Sequence, residues 1–271
     1  MKRWMPATLA GIGLVLASCA PPPPTPTPDR ALTVMSLNIH HGVGVDGLLD
    51  LDRIAATISS SGADLVGLQE VDRHFSARSN FVDQASYLAG VLDMSVVFGA
   101  NLDLDPLVAG QPRRQFGNAL LSRSPILSWT NTLLPRLAGS EQRGLLEATI
   151  DIGGRPVSAF VTHLHFASSA ERLDQAQAIL DAITAPAARS VLLGDLNASP
   201  GSPEVDALLT RFTDAWVEAG IGDGFTFSSS DPRFRIDYVL TSRDLAVRAA
   251  AVVVSDSSDH LPVVATLTPP T

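Results

Sequence analysis

Short apolar runs alternate with helix-like patterns from residue 32 to residue 267 of the chain. Runs of four to eight apolar residues predict strands, and apolar residues recurring three or four positions apart predict helices. Asp50 and Asp83 stand where helix-capping residues are expected, and a third helix is predicted from the spacing of Leu173, Ala176 and Leu180. The predicted strands are 32–39, 65–71, 119–121, 126–134, 145–152, 157–162, 190–193, 236–240, 249–254 and 263–267. This alternation is typical of an α/β protein.

A pair of glycines gives the direction of two of these strands. Gly153 and Gly154 separate the runs 145–152 and 157–162, and such a pair predicts a tight antiparallel hairpin. The sheets are therefore not purely parallel. We predict a mixed-sheet α/β sandwich rather than a doubly wound or barrel fold.

The first residues have the pattern of an export signal. Lys2 and Arg3 precede an apolar stretch, 7–17, that is shorter than the roughly 20 residues needed to cross a bilayer. The tetrad Leu16-Ala17-Ser18-Cys19 resembles the lipobox of bacterial lipoproteins, in which the cysteine is acylated. An ordinary signal peptide cleaved nearby is the alternative.

A proline-rich tract, 21–28, follows and predicts an extended spacer. We therefore expect a signal peptide over 1–18, an anchor cysteine and spacer over 19–30, and a catalytic domain over 31–271. The protein would be exported and held by Cys19 on a membrane of the bacterial cell envelope, on its periplasmic or surface side.

Composition limits the class of protein further. Apolar residues make up 45% of the chain, which is enough for a substantial core. Cys19 is the only cysteine, so an internal disulfide is excluded. The formal net charge of −9 and the lack of a basic stripe argue against tracking along a nucleic acid. We predict a monomer and no protein partner.

Polar residues able to bind metal or phosphate stand at the ends of several predicted strands. Because strand ends converge at one edge of a sheet, these side chains are expected to meet in one cleft. They are Asn38, Glu70, His163, Asp195 with Asn197, Asp237, and Asp259 with His260.

Six short motifs around these residues resemble the endonuclease/exonuclease/phosphatase superfamily. In chain order they are the strand ending at Asn38, Leu68-Gln69-Glu70, Thr162-His163-Leu164, Gly194-Asp195-Leu196-Asn197, Arg235-Ile236-Asp237-Tyr238 and Ser258-Asp259-His260. Any one motif is weak, but six in order are specific. The resemblance implies a four-layer sandwich of two mixed β-sheets flanked by helices, with a divalent metal at the shared edge.

Phosphoester hydrolysis requires these residue types, because water must be activated and the charge on phosphate neutralised. Hard oxygen ligands suit Mg²⁺ or Mn²⁺. We expect Glu70, Asn38 and Asp259 to bind the metal and Asp195 to orient or deprotonate water. We expect Asn197 to bind a phosphate oxygen and His260 to contact the phosphate or relay a proton. Asp237 is expected to fix the tautomer of His260 by accepting its other ring N–H. His163 is expected to donate to a phosphate oxygen or to help the leaving group.

Other polar residues have weaker assignments. Arg78 and Arg143 correspond to arginines that meet phosphate in relatives, and an ordinary ion-paired surface role is the alternative. Asn118 matches a family segment near the metal. His40 and His41 contact substrate or belong to a plain loop.

Three functions remain open from the sequence. The first is a metal-dependent phosphoesterase acting on a small molecule, a lipid head group or a nucleic acid. The second is a secreted nuclease, which predicts an arginine groove that includes Arg113 and Arg114. The third is a non-catalytic binding module, which would be expected to have lost Glu70, Asp195 or His260.

Overall fold

A computed structural model describes residue 1, residues 31–183 and residues 189–268. The predicted signal peptide, Cys19 and the spacer lie outside the described domain, and their assignments stay predictions. Within the described ranges, no helix has the length and apolar character needed to cross a membrane.

Twelve strands of the described chain form two six-stranded sheets. The first sheet has the order β11-β12-β1-β2-β4-β3 and the second β5-β6-β7-β8-β10-β9. The strands are β1 Leu32–Asn38, β2 Leu65–Arg73, β3 Ser95–Leu104, β4 Arg114–Ser122, β5 Ile126–Leu133, β6 Gly144–Ile152, β7 Arg155–His163, β8 Ser190–Asp195, β9 Phe212–Asp214, β10 Asp237–Ser242, β11 Val247–Val252 and β12 Val263–Leu267.

In the described ranges five α-helices accompany the sheets, and two begin at the predicted caps. The carboxylates of Asp50 and Asp83 accept hydrogen bonds from the backbone N–H groups of Arg53 and Ser86. These bonds satisfy donors that the first helical turn leaves unpaired. The helices are α1 Leu51–Ser61, α2 Gln84–Leu92, α3 Ser169–Ala182, α4 Pro203–Leu209 and α5 Ala215–Ala219.

Three hydrophobic clusters fill the spaces between the layers. One fills the space between the two sheets, a second joins the first sheet to α1 and α2, and a third joins the second sheet to α3 and α4. The sheets approach closely at Gly67, where a Cβ atom would stand 2.7 Å from Leu193 Cβ. The predicted four-layer sandwich is confirmed. Because all three clusters are built within residues 32–267, this part of the chain has a complete core of its own.

Strand direction confirms the mixed sheets and brings polar strand ends together. β1 pairs in parallel with β2, and β7 pairs in parallel with β8, whereas β1–β12 and β8–β10 are antiparallel. Ile152 pairs with Arg155, which confirms the glycine hairpin. We call the end of the sandwich that holds Asn38, His163 and Asp195 the catalytic end, after the role that the sequence predicts for it.

Several elements were not predicted. β3, β9, α4 and α5 have no counterpart among the predicted elements, and β4 begins at Arg114 rather than near residue 119. β9 has three residues and α5 has five, lengths too short to show a periodic pattern. The strand predicted from 236 begins at Asp237 instead.

An ion pair between α3 and α4 supplies a test of packing in the outer layer. Glu204 is fully buried and accepts hydrogen bonds from Arg172 Nε and, at 2.9 Å, from Ser169 Oγ. Replacing Glu204 with glutamine is expected to lower the free energy of unfolding at pH 7 by about 3 kcal/mol, because the Arg172 charge loses its partner. Urea denaturation measures this, with the exposed Asp206→Asn as the control.

The same pair predicts a pH dependence. Burial would raise the pKa of Glu204, but the hydrogen bonds from Arg172 and Ser169 outweigh burial and lower it. A lowered folded-state pKa stabilises the fold above the pKa of the unfolded chain, and this contribution is lost as the pH falls through the folded value. The difference between wild type and Glu204→Gln should therefore shrink in acid; a constant difference would contradict the assignment.

Candidate active site

A β-bulge in β2 places Glu70 at the catalytic end. The register of β2 against β4 shifts between Leu68 and Val71, so that Gln69 and Glu70 lie opposite Asn118 alone. Glu70 has φ of 58°, a left-handed conformation that is uncommon outside glycine. Bulges re-aim side chains and are frequent beside active sites. Here the bulge accounts for the unusual backbone of a predicted metal ligand.

Asn38, at the end of β1, links the carboxylates of the two sheets. It is fully buried, and its Nδ2 donates to Glu70 Oε1 at 3.0 Å and to Asp195 Oδ2 at 3.1 Å. Its Oδ1 accepts from the backbone N–H of His40 at 3.0 Å. In this orientation Asn38 holds the two carboxylates in place rather than offering an oxygen to a cation. Its role as a metal ligand stays a prediction.

Asp195 lies at the centre of the site. Its side chain is 1% exposed, and Oδ2 lies 3.4 Å from His163 Nε2 and 3.7 Å from His260 Nε2. Burial and the negative charge of Asp237 raise the pKa of the Asp195 carboxyl, against the opposing charge of His260. A raised pKa makes this carboxylate a stronger proton acceptor than an exposed aspartate.

Asp237 and His260 form a buried pair beside Asp195. Asp237 is the antiparallel partner of Asp195 in the sheet, and its Oδ2 lies 2.9 Å from His260 Nδ1. The carboxylate accepts the Nδ1–H, so Nε2 is the ring nitrogen turned toward Asp195. Burial lowers the pKa of His260, but the charges of Asp237 and Asp195 outweigh it and raise the pKa above its usual value.

His163 ends β7 and lies between Arg143 and Asn197. Arg143 Nη1 lies 2.9 Å from its Nδ1, and Asn197 Nδ2 lies 2.9 Å from its Nε2. Because a guanidinium can only donate, Nδ1 accepts from Arg143 and the ring proton belongs on Nε2, which lies 3.4 Å from Asp195 Oδ2. The amide N–H groups of Asn197 therefore cannot donate to Nε2. Burial together with the Arg143 charge holds the pKa of His163 well below its usual value. His163 is therefore a neutral hydrogen-bond donor.

Arg143 acts on this histidine from a buried position. Its side chain is 5% exposed and also pairs with Glu141 at 3.0 Å, so the structure brings it to His163 rather than to an open surface. Its contact with phosphate stays a prediction.

Replacing Arg143 with leucine is expected to raise the pKa of His163, because a repelling positive charge is removed. The ring would also lose the donor that fixes its tautomer. Titration of the His163 ring ¹⁵N resonances measures both changes, with Arg136→Leu, an exposed arginine of the same loop, as the control. An unchanged His163 pKa and tautomer would refute the assigned role of Arg143.

The remaining predicted residues lie at varying distances from this centre. Asp259 is partly exposed, and its Oδ1 lies 3.7 Å from His40 Nδ1. Asn118 is buried and donates through Nδ2 to Gly144 O, while its Oδ1 has no hydrogen-bond partner. Arg78 is bound by both oxygens of Asp72 and is not drawn into the Asp195 cluster. The metal and substrate roles of these three residues stay predictions.

Arg78 is nevertheless held rigidly near the cleft. Its guanidinium lies over the rings of Phe75 and Phe116, at 4.7 Å and 5.3 Å from their centroids. The side chain is 38% exposed. It is a fixed positive group paired with Asp72.

Two further residues support the site and were not predicted. Ser258 Oγ donates to the backbone carbonyl of Asn38 at 2.7 Å, which ties the Asp259-His260 segment to β1. The Phe227 ring lies 4.8 Å from the His260 ring. Phe227 stands 33 positions before His260, and no local motif signals such a contact.

The donor chemistry at this end suits a hard divalent cation. Burial would raise the pKa of Glu70, but the neighbouring His41 ring, 4.0 Å away, and the hydrogen bond from Asn38 lower it below its usual value, so this carboxylate is ionised. A second group, Asp195, Asp237 and His260, offers one ligand atom from each residue within 4.8 Å. Asp237 Oδ1 is buried without a hydrogen-bond partner. Carboxylate oxygens of this kind are the preferred ligands of Mg²⁺ and Mn²⁺.

Comparison with known proteins shows which family and which solved structures this chain is similar to. The model of the Endonuclease/Exonuclease/phosphatase family matches residues 35–260, a range that contains every predicted site residue. No curated protein matches the sequence. Among solved structures, an endonuclease/exonuclease/phosphatase from Beutenbergia cavernae is 30% identical, with a TM-score of 0.75 over 89% of this chain and 72% of that chain.

Two other structures share the fold at lower identity. The mannosyl-6-phosphatase Bt3783 of Bacteroides thetaiotaomicron is 18% identical, with a TM-score of 0.71 over 88% of this chain and 99% of that chain. The human Nocturnin catalytic domain with bound sulfate anion is 22% identical, with a TM-score of 0.64 over 88% of this chain and 93% of that chain. With its motifs in order and its family match spanning both sheets, the chain belongs to the endonuclease/exonuclease/phosphatase family.

Proposed function

We propose that the protein is a divalent-metal-dependent phosphoesterase that hydrolyses a phosphodiester or phosphomonoester with activated water. The observation that carries this proposal is the position of Asp195 Oδ2, which lies within 3.7 Å of a ring nitrogen of both His163 and His260. Membership of a generally hydrolytic family supports it. The structural likeness to a mannosyl-6-phosphatase, at low identity, supports the proposal only through the shared fold.

Asp195 is the proposed acceptor of the water proton. It is buried, its Oδ1 accepts the backbone N–H of Asn197 at 2.9 Å, and its Oδ2 is held by Asn38. These bonds fix the direction of the remaining lone pairs, which general-base catalysis requires.

His260 is the proposed positive group of the site. The Asp237 carboxylate holds its Nδ1–H, and the raised pKa keeps the ring protonated. Its Nε2–H can stabilise charge that develops on the phosphate oxygens or relay a proton.

His163 and Asn197 supply neutral donors on the other side of Asp195. His163 carries its proton on Nε2, and Asn197 Nδ2 is held by the carbonyl of Leu164 at 3.0 Å. Both are fixed before substrate arrives, so little reorganisation is needed when they bind phosphate oxygens. A cation bound by Glu70, with Asn38 and Asp259, would polarise the phosphoryl group and neutralise its charge.

A nuclease is the second candidate. The two arginines proposed to form its groove already donate to acceptor groups of the protein itself. Arg113 donates to Asp103 at 2.6 Å and to Asp105 at 2.7 Å, and Arg114 donates to the carbonyl of Asp105 at 2.9 Å. Guanidinium groups neutralised by adjacent carboxylates attract a polyanion weakly. The observation favours a smaller phosphoester.

The proposal also includes export and anchoring. The tetrad ending at Cys19 supports acylation of this cysteine at a membrane of the cell envelope, and the proline-rich spacer supports a short distance between anchor and domain. Mass spectrometry of the protein purified from membranes tests this: an acylated Cys19 at the N-terminus is expected, and an unmodified chain cleaved elsewhere would refute it.

Hydrolysis by residues 29–271 tests the reaction. The substrates are bis(p-nitrophenyl) phosphate, p-nitrophenyl phosphate, plasmid DNA and nucleotides, each with Mg²⁺, Mn²⁺ or chelator. Metal-dependent turnover supports the proposal, and the relative rates on the four substrates show whether a diester, a monoester or a nucleic acid is preferred. A folded protein that binds metal but turns over none of these substrates would favour the binding-module alternative.

A further inference from the structure

Large apolar side chains are exposed on six separate loops at the catalytic end. Each is more than half exposed, from 55% for Leu137 and Phe234 to 90% for Val254. The loops belong to both sheets and reach from edge to edge. The six residues are Leu48, Leu107, Leu137, Phe166, Phe234 and Val254, which we call the apolar rim.

Sheet order places the apolar rim around the Asp195 site at the catalytic end. In the first sheet, Val254 follows edge strand β11, Leu48 follows central strand β1, and Leu107 lies between edge strand β3 and β4. In the second sheet, Leu137 follows edge strand β5, Phe166 follows central strand β7, and Phe234 precedes β10 near the opposite edge. Each sheet thus contributes one apolar tip at each side and one at its centre.

The opposite end of the sandwich differs. Its described connections carry small or charged residues, such as Ser61-Gly62, Arg123-Ser124 and Gly153-Gly154. Leu245, in the connection from β10 to β11, is 2% exposed. Among these described connections no large apolar side chain is more than half exposed. Two large apolar side chains near this end, Val91 in the last turn of α2 and Leu127 at the start of β5, are 53% and 60% exposed, so exposed apolar side chains are more numerous at the catalytic end but are not confined to it.

We propose that the apolar rim docks this end of the protein on the surface of a zwitterionic phospholipid bilayer. Separate loop tips around an opening can enter the head-group region together and leave the cleft facing the lipids, and buried apolar area would provide the binding free energy. A protein partner would instead be expected to meet one contiguous patch.

The charges near the apolar rim favour uncharged over anionic lipid. Arg53, behind the loop of Leu48, donates to both oxygens of Asp46, and Arg113, behind Leu107, donates to Asp103 and Asp105. The chain as a whole carries a formal charge of −9. An anionic surface would therefore repel the protein, whereas a zwitterionic surface would not.

The chain that precedes β1 is long enough for this orientation. β1 begins at the end opposite the apolar rim, and its seven residues rise about 23 Å. An extended spacer from Cys19 to Ala31 would reach about 37 Å. An anchor on Cys19 therefore leaves room for the domain to turn its catalytic end to the membrane. This inference rests on the proposed function only for the reaction that the docked cleft would perform.

Cosedimentation of residues 29–271 with dioleoylphosphatidylcholine vesicles tests the docking, because this form lacks Cys19. The rim variant carries Leu48→Ser, Leu107→Ser and Leu137→Ser. The matched control carries Val91→Ser, Leu127→Ser and Val217→Ser, three side chains with 53%, 60% and 71% exposure away from the apolar rim. We expect wild type and control to bind alike and the rim variant to partition about tenfold less.

Equal binding of the rim variant and wild type, or no binding by wild type, would overturn the docking proposal. Dimers of wild type that the rim variant abolishes, without vesicle binding, would also overturn it and assign the apolar rim to self-association. Hydrolysis of soluble bis(p-nitrophenyl) phosphate is measured in parallel and should be equal in all three proteins. Absence of hydrolysis in all three proteins, with vesicle binding by wild type and control and its loss in the rim variant, would count against the proposed function and leave the docking standing.

Discussion

Replacing Asp195 with asparagine is expected to lower phosphoester turnover about 10³-fold, since general-base catalysis contributes roughly 10² to 10⁴. The substitution keeps the size of the side chain and removes its ability to accept a proton from water. Asp195 also lies next to both imidazoles, so the substitution removes a negative charge toward which the Nε2 atoms of His163 and His260 point. The effect should fall on kcat more than on KM, because the charge and the base act chiefly in the transition state.

Stability distinguishes this effect from misfolding. The raised pKa of Asp195 means that its ionised form is less favourable in the folded chain than in the unfolded chain. For such an acid, the folded state loses stability as the pH rises through the range between the two pKa values. Asp195→Asn should therefore melt at the same temperature as wild type or higher at pH 7.

The change in kcat is measured from the kinetics of bis(p-nitrophenyl) phosphate hydrolysis. The melting temperature is measured by thermal unfolding followed by circular dichroism. Asp181→Asn, an exposed carboxylate near the end of α3, is the control and should match wild type. Full activity in a folded Asp195→Asn protein would remove Asp195 from the chemistry and transfer the proposed base to another residue.

The sequence predicts that polar strand ends meet at one end of the sandwich, but it misses several of the shorter or edge elements of the fold. Asn38, His163 and Asp195 end buried strands whose apolar runs are long enough to be recognised, and parallel pairing then places these residues at one end. By contrast, β3 lies at the edge of a sheet with alternating half-exposed residues, and β9 is three residues long. Elements of this kind are fixed by tertiary packing, which leaves little local pattern.

Side-chain roles depend on contacts that spacing cannot supply. The sequence places Arg143 20 positions before His163 and suggests phosphate binding, whereas the folded chain buries its guanidinium against the His163 ring. Antiparallel pairing of β6 with β7 sets this proximity, and a register slipped by one residue would turn the side chains to the opposite face. The bulge that turns Glu70 is likewise visible only in the register of β2 against β4.

Replacing Glu70 with glutamine is expected to raise the Mg²⁺ or Mn²⁺ concentration needed for half-maximal activity by about 100-fold. Metal affinity depends on ionised carboxylate ligands, and the lowered pKa of Glu70, which the neighbouring His41 ring and the hydrogen bond from Asn38 favour, indicates that the site prefers its charged form. Glutamine retains an oxygen that can accept from Asn38 Nδ2, so the link from Glu70 to Asn38 is preserved. Isothermal titration calorimetry of metal binding provides a readout that does not depend on turnover.

Comparison of Glu70→Gln with Asp237→Asn decides where the cation binds. If Glu70 is the principal ligand, Glu70→Gln weakens metal binding strongly, whereas Asp237→Asn leaves it within a few fold and lowers kcat by weakening the hold on His260 Nδ1. If the group of Asp195, Asp237 and His260 is the metal site instead, Asp237→Asn weakens binding and Glu70→Gln does not. The 2.9 Å contact between Asp237 Oδ2 and His260 Nδ1 favours the first outcome, because a cation in the second site would compete with the proton that joins these two atoms.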